Sequence, residues 1–128
     1  MTDEYDIDVR QEADYLRITA SGERSFQRTE RLLHVILAEA RARDARRVLL
    51  DSTGVTGELS LTYRYTLGEQ VAQLFAGTGI KLAVSSYSDG ASPFTATVAR
   101  GRGADYAVFY SEPEAVAWLL APVDRNRG

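Results

Sequence analysis

The chain has 128 residues, 45% of them hydrophobic, enough for one sizeable buried core and too few for a second domain. It has no cysteine, which removes disulfides, thiolate metal sites and thiol nucleophiles, so the fold rests on packing alone. A net charge of −3 argues against the broad basic surface that nucleic acid or an anionic membrane requires, although a local basic patch stays open.

The acidic start, Met1 to Asp8, lacks the basic-then-apolar order of a secretory leader, and no run approaches the roughly 20 apolar residues of a membrane span. A cytoplasmic location without integral membrane association is the resulting expectation. Tyr5 to Arg10 alternates apolar and polar residues, as does Tyr15 to Ala20 after the polar break Glu12-Ala13-Asp14. This period of two across a short turn predicts a β-hairpin. Beyond Gly22 the period becomes helical: Leu32, Leu33, Ile36, Leu37 and Ala40 share a face, which predicts a helix from an N-cap at Ser25 to about Arg43.

The apolar run Val48-Leu49-Leu50 within Arg47 to Asp51 predicts a strand covered on both faces, with a hydroxyl- and glycine-rich loop after it. A second helix is expected from near Ser60, with Tyr63, Leu67, Val71, Leu74 and Phe75 as its apolar stripe and Gly77 and Gly79 as its stop. Ile80 to Ser85 reads as another buried strand. Ser92-Pro93 then starts a short helix ending at Gly101 or Gly103. Tyr106 to Tyr110 is the last predicted strand, and Ser111 to Glu114 forms a capping box for a helix carrying Val116, Trp118, Leu119 and Leu120. The tail 122–128 has no apolar face and is expected to be disordered, which leaves one domain over 1–121.

The predicted class is therefore α/β, a five-stranded, mostly parallel sheet with an antiparallel first edge strand and about four helices. Ser52 and Thr53, then Ser85, Ser86 and Ser88, then Ser111 follow predicted strands, and ligands of open parallel sheets sit at that rim. Ser92 at a helix start adds possible anion donors. Serine, threonine and glycine also serve turns and caps, so both readings stand. Arg100 and Arg102 either hold a phosphate or carboxylate or pair with the helix's terminal carbonyls and Asp105. Asp51 and Glu58 are the carboxylates placed for acid–base work in a cleft, if they converge. His34 is the only histidine, so it is expected to be a boundary residue rather than a metal ligand. Tyr65, two positions from Tyr63, should point away from that stripe and mark an interface. Phe94 and Trp118 are expected in the core, or together lining an apolar cavity. No Gly-x-Gly-x-x-Gly or Gly-Lys-Ser/Thr follows a strand, so no cofactor is expected.

Three stretches, Val48 to Gly57, Pro93 to Asp105 and Glu114 to Leu119, carry a resemblance to STAS domains, and more closely to the small bacterial SpoIIAA-like proteins described as STAS/CRAL-TRIO-like. The resemblance implies a SpoIIAA-like β-α superhelix and a non-catalytic binding or regulatory module. It points to a homodimer, or to capture of a protein partner, through the loop Thr56 to Ser60 and the adjoining helix with Tyr65. Its CRAL-TRIO side implies an alternative, an apolar, lipid-like molecule carried between helices and sheet. A third implied role is a phospho-regulated anti-sigma-factor antagonist. The expected Asp-Ser-Ser-Gly falls here at Leu59-Ser60-Leu61-Thr62, which leaves Ser60 as the hydroxyl to phosphorylate and helix capping as its simplest role.

Overall fold

The computed structural model describes residues 4–86 and 93–122. Five strands lie side by side in chain order: β1 (Asp6–Gln11), β2 (Leu16–Glu23), β3 (Arg47–Thr56), β4 (Lys81–Ser85) and β5 (Asp105–Phe109). β1 pairs antiparallel with β2 at the edge, and every later pair is parallel. Helices α1 (Phe26–Ala42), α2 (Leu61–Phe75) and α3 (Pro93–Gly101) make the crossovers, and α4 (Glu112–Leu120) follows the last strand.

Alternation along the strands divides the core between the two faces of the sheet. Leu16, Ile18, Val48, Leu50, Leu82 and Val84 pack under α1, α2 and α3. Leu49 and Ala83 point the other way and meet Ala115 and Leu119 of α4. The run Val48-Leu49-Leu50 is thus covered on both sides, as a central parallel strand requires. Ser25, Ser60 and Ser111 cap α1, α2 and α4, each side chain accepting from the backbone N–H three residues on.

β3 runs five residues beyond the expected Asp51, because β2 also continues. After a register shift between Thr19 and Ser21, Ser21 pairs with Gly54, Gly22 with Val55 and Glu23 with Thr56. A Cβ at Gly54 would lie 2.9 Å from that of Ser21, so the close pairing needs glycine there. A second close approach lies at Gly68 on α2, where a Cβ would sit 2.7 Å from the Val98 Cβ and 2.9 Å from the Thr95 carbonyl. This lets α2 and α3 pack backbone to backbone.

Of the two aromatic side chains expected in the core, Trp118 packs against the part of it on the α4 face and Phe94 lies outside it. Phe94 is 40% exposed on the first turn of α3. Trp118 is half-buried on the opposite face, its ring 5.8 Å from Phe109, so the two cannot line one cavity. Tyr63, assigned to the inward stripe of α2, is 49% exposed and stacks on Phe26 of α1 at 5.1 Å. The buried stripe of α2 begins at Leu67, one turn later than the expected Tyr63. Ser88, Ser92 and the tail 123–128 fall outside the described residues.

Candidate functional site

With the strands in order β1 to β5 and no reversal, the sheet has no switch point at which two crossovers diverge and open a crevice. The expected rim of hydroxyls is consequently not assembled into one pocket. Ser52 is a strand residue buried against the core, and its Oγ donates to the Ser85 carbonyl at 2.9 Å. Thr53 turns to the α4 face, where its Oγ1 and N–H both donate to Asp51 at 2.6 and 3.0 Å. Ser86 is buried and donates its N–H to the Phe109 carbonyl at 2.9 Å. Ser111 caps α4.

Asp51 and Glu58 do not converge. Asp51 accepts from Arg17 at 3.0 Å, and the same guanidinium donates to Glu112 at the start of α4 at 2.5 Å. The bond to Glu112, with the charges of Glu112 and Asp51, raises the Arg17 pKa against the cost of burial. Glu58 is exposed beside α2. His34 is exposed on α1, and no group of three His, Asp or Glu side chains stands in metal-binding range among the described residues. No helix among them is long and apolar enough to cross a membrane.

What the fold does bring together is a face at the first turns of α2 and α3. Leu61 (67% exposed), Tyr63, Tyr65 (42%) and Phe94 present their apolar surface there. Helical spacing splits them into two arms. Tyr63 leans toward α1 onto Phe26, and their rings border an open groove of about 510 Å³ shared with Arg24, Glu58 and Ser60. Tyr65 leans toward α3 and meets Phe94 at 6.4 Å, which matches its expected divergence from Tyr63. Thr56 is exposed at the end of β3, its carbonyl accepting from the Arg24 N–H at 2.7 Å. Ser60 is exposed at the N-cap of α2, between buried Leu59 and exposed Leu61.

Arg102 belongs to this face, and the carboxylate it holds is one of the chain's own. It donates to the Tyr65 hydroxyl at 2.9 Å and pairs with Glu69 at 3.1 Å, tying the end of α3 to α2. Arg100 is exposed on α3. Sequence reasoning passed over Arg24 because an arginine between a strand and an N-cap looks like any loop residue. Its Nε donates to the Gly57 carbonyl at 3.0 Å, which pins the loop leading to α2. Inside the same face, between sheet and helices, lies a small cavity of about 30 Å³. This cavity is smaller than the roughly 300 to 1,000 Å³ of small-molecule pockets.

No family model matches the chain, and no curated protein sequence matches it. Solved structures do. An anti-sigma factor antagonist from Mycobacterium paratuberculosis superposes with a TM-score of 0.62 at 13% identity, over 93% of this chain and 97% of the other. An uncharacterised protein of the DUF3478 family with a SpoIIAA-like fold, from Shewanella loihica PV-4, superposes with a TM-score of 0.51 at 19% identity, over 91% and 94%. The fold is therefore of the α/β class, a mixed sheet with helices, shared with both of these structures. Within that class it is SpoIIAA-like, with its antiparallel β1 at the edge and its strands in sequential order.

Proposed function

We propose that this domain acts by non-catalytic contact, associating with itself and capturing a protein partner through the first turns of α2 and α3. The observation that carries this reading is the exposure of Leu61, Tyr63, Tyr65 and Phe94 around the first turns of α2 and α3, with Arg102 bonded to Tyr65. Exposed apolar side chains in a contiguous group cost solubility unless something covers them, and tyrosine beside arginine is the composition of binding hot spots. The anti-sigma factor antagonist with the same fold supports a regulatory rather than a catalytic role. Sedimentation equilibrium tests the reading: the wild-type chain should form a dimer, and the double variant Leu61→Glu with Tyr65→Glu should be monomeric with an unchanged circular dichroism spectrum. A wild-type chain that stays monomeric at high micromolar concentration would remove self-association.

A second reading, antagonism of an anti-sigma factor controlled by phosphate on Ser60, is favoured by that neighbour and by the exposure of Ser60 at a helix N-terminus. Phosphate placed there meets the positive end of α2. Under this reading a co-expressed anti-sigma kinase adds one phosphate to the wild type and none to Ser60→Ala, as intact mass would show; an unmodified wild type speaks against it.

A further inference from the structure

We infer that the cavity beside Arg24 is a binding site for one small monovalent anion of halide size, held by the Arg24 guanidinium. Arg24 follows β2 and precedes the N-cap of α1, and two bonds to the next loop fix it: its N–H to the Thr56 carbonyl and its Nε to the Gly57 carbonyl. With the stem held, Nη2 is shut off from solvent and meets no acceptor. A buried donor without a partner calls for one, because leaving it bare forfeits its hydration.

The surroundings choose among the candidates. Arg24 lines the 30 Å³ cavity together with the polar side chains of Tyr5, Thr29, Ser52, Thr95 and Tyr106, and leucines and valines of the core complete a wall that is mostly apolar. Most of these hydroxyls are already engaged: Ser52 with Ser85, Thr95 with the Arg64 carbonyl at 2.9 Å, and Thr29 with both Tyr5 and the Ser25 carbonyl at 2.8 Å. The charge is unanswered as well. Among the described residues no carboxylate pairs with Arg24, whereas the acids that form ion pairs do so with Arg17, Arg31, Arg43 and Arg102. Burial lowers the Arg24 pKa, the buried tyrosines oppose this, and Arg64 adds a like charge nearby.

A water molecule would supply an acceptor for Nη2 but no charge. An anion supplies both, and a partly buried guanidinium with no carboxylate beside it gains from a counter-charge. The volume accommodates one or two waters or a single halide and excludes sulfate or phosphate. Tyr106 is buried and its pKa is raised by desolvation, so its hydroxyl stays protonated and is able to donate a hydrogen bond to a bound anion. Because the same guanidinium holds Gly57, an occupied cavity also stiffens the loop that leads into α2.

The test is thermal unfolding at constant ionic strength with sodium chloride, sodium bromide or sodium gluconate, the last too large to enter. Chloride and bromide should raise the melting temperature saturably, by about 5 °C at ten times Kd. Gluconate should not, and Arg24→Met should lose the response. A melting temperature that is the same in all three salts would overturn the site, since a water or a carboxylate of the chain would then be the partner of Nη2. Should Arg24→Met fail to fold, bromide-soaked crystals of the wild type decide: an anomalous peak within hydrogen-bonding distance of Nη2 supports the site, and its absence overturns it.

Discussion

Arg17 and Arg24 leave the same strand seven residues apart and arrive in opposite electrostatic situations. Arg17 points to the α4 face and meets two carboxylates, Asp51 and Glu112. Lys81 on the same face is likewise answered: its Nζ donates to the carbonyls of Trp118 and Ala121 at 2.5 and 3.2 Å and lies 4.3 Å from the Trp118 ring. Burial lowers the Lys81 pKa, with Asp105 opposing. Both cations close α4 onto the sheet, and that face is satisfied within itself. The α1–α3 face carries Arg24 without an acid and an apolar group exposed to solvent. The contrast sets a face whose cations are paired against one that leaves a donor and apolar side chains unpaired among the described residues.

The contrast breaks first at Arg17. Replacing it with methionine leaves Asp51, whose side chain is only 16% exposed, without its cation. This should cost about 2 kcal/mol in urea denaturation, between the values for exposed and fully buried pairs. A loss under about 0.5 kcal/mol would mean that the α4 face does not depend on the pairing.

A smaller effect sharpens the comparison from the Arg24 side. Tyr106 is raised well above its ordinary value by desolvation, with Arg24 pulling the other way. The folded state therefore holds its proton to higher pH than the unfolded chain. Stability from this group is complete below pH 10 and falls as pH rises beyond it, by about 1.4 kcal/mol at pH 11. Tyr106→Phe should remove that part of the alkaline decline; equal declines in both proteins would place the hydroxyl in contact with water. The smallest change is expected for Arg24→Met in gluconate, where losing the bond to Gly57 is offset by removing an unanswered buried charge. Destabilisation as large as that of Arg17→Met would show that Arg24 has a partner within the fold.

Much of this architecture was legible residue by residue. The hairpin, the four helices and three serine caps follow from period and local hydrogen-bonding chemistry, which depend on neighbours a few positions away. The divergence of Tyr63 and Tyr65 was visible for the same reason, since 100° per residue separates them on any helix. The site was less legible. Ser52 and Thr53 look like a loop until β2 is seen to continue past its register shift, and Arg102 looks paired with its own helix until Tyr65 and Glu69 arrive from α2.

The chain by itself determined its elements, their order and the antiparallel edge, because backbone propensity and hydrophobic period act over short separations. Only the tertiary structure decided that Phe94 is partly exposed while Trp118 lies under the opposite face, that Arg17 finds two acids, and that Arg24 finds none among the described residues. Those outcomes depend on which residues distant in sequence share a volume, and neither charge nor hydrophobicity at one position carries that information.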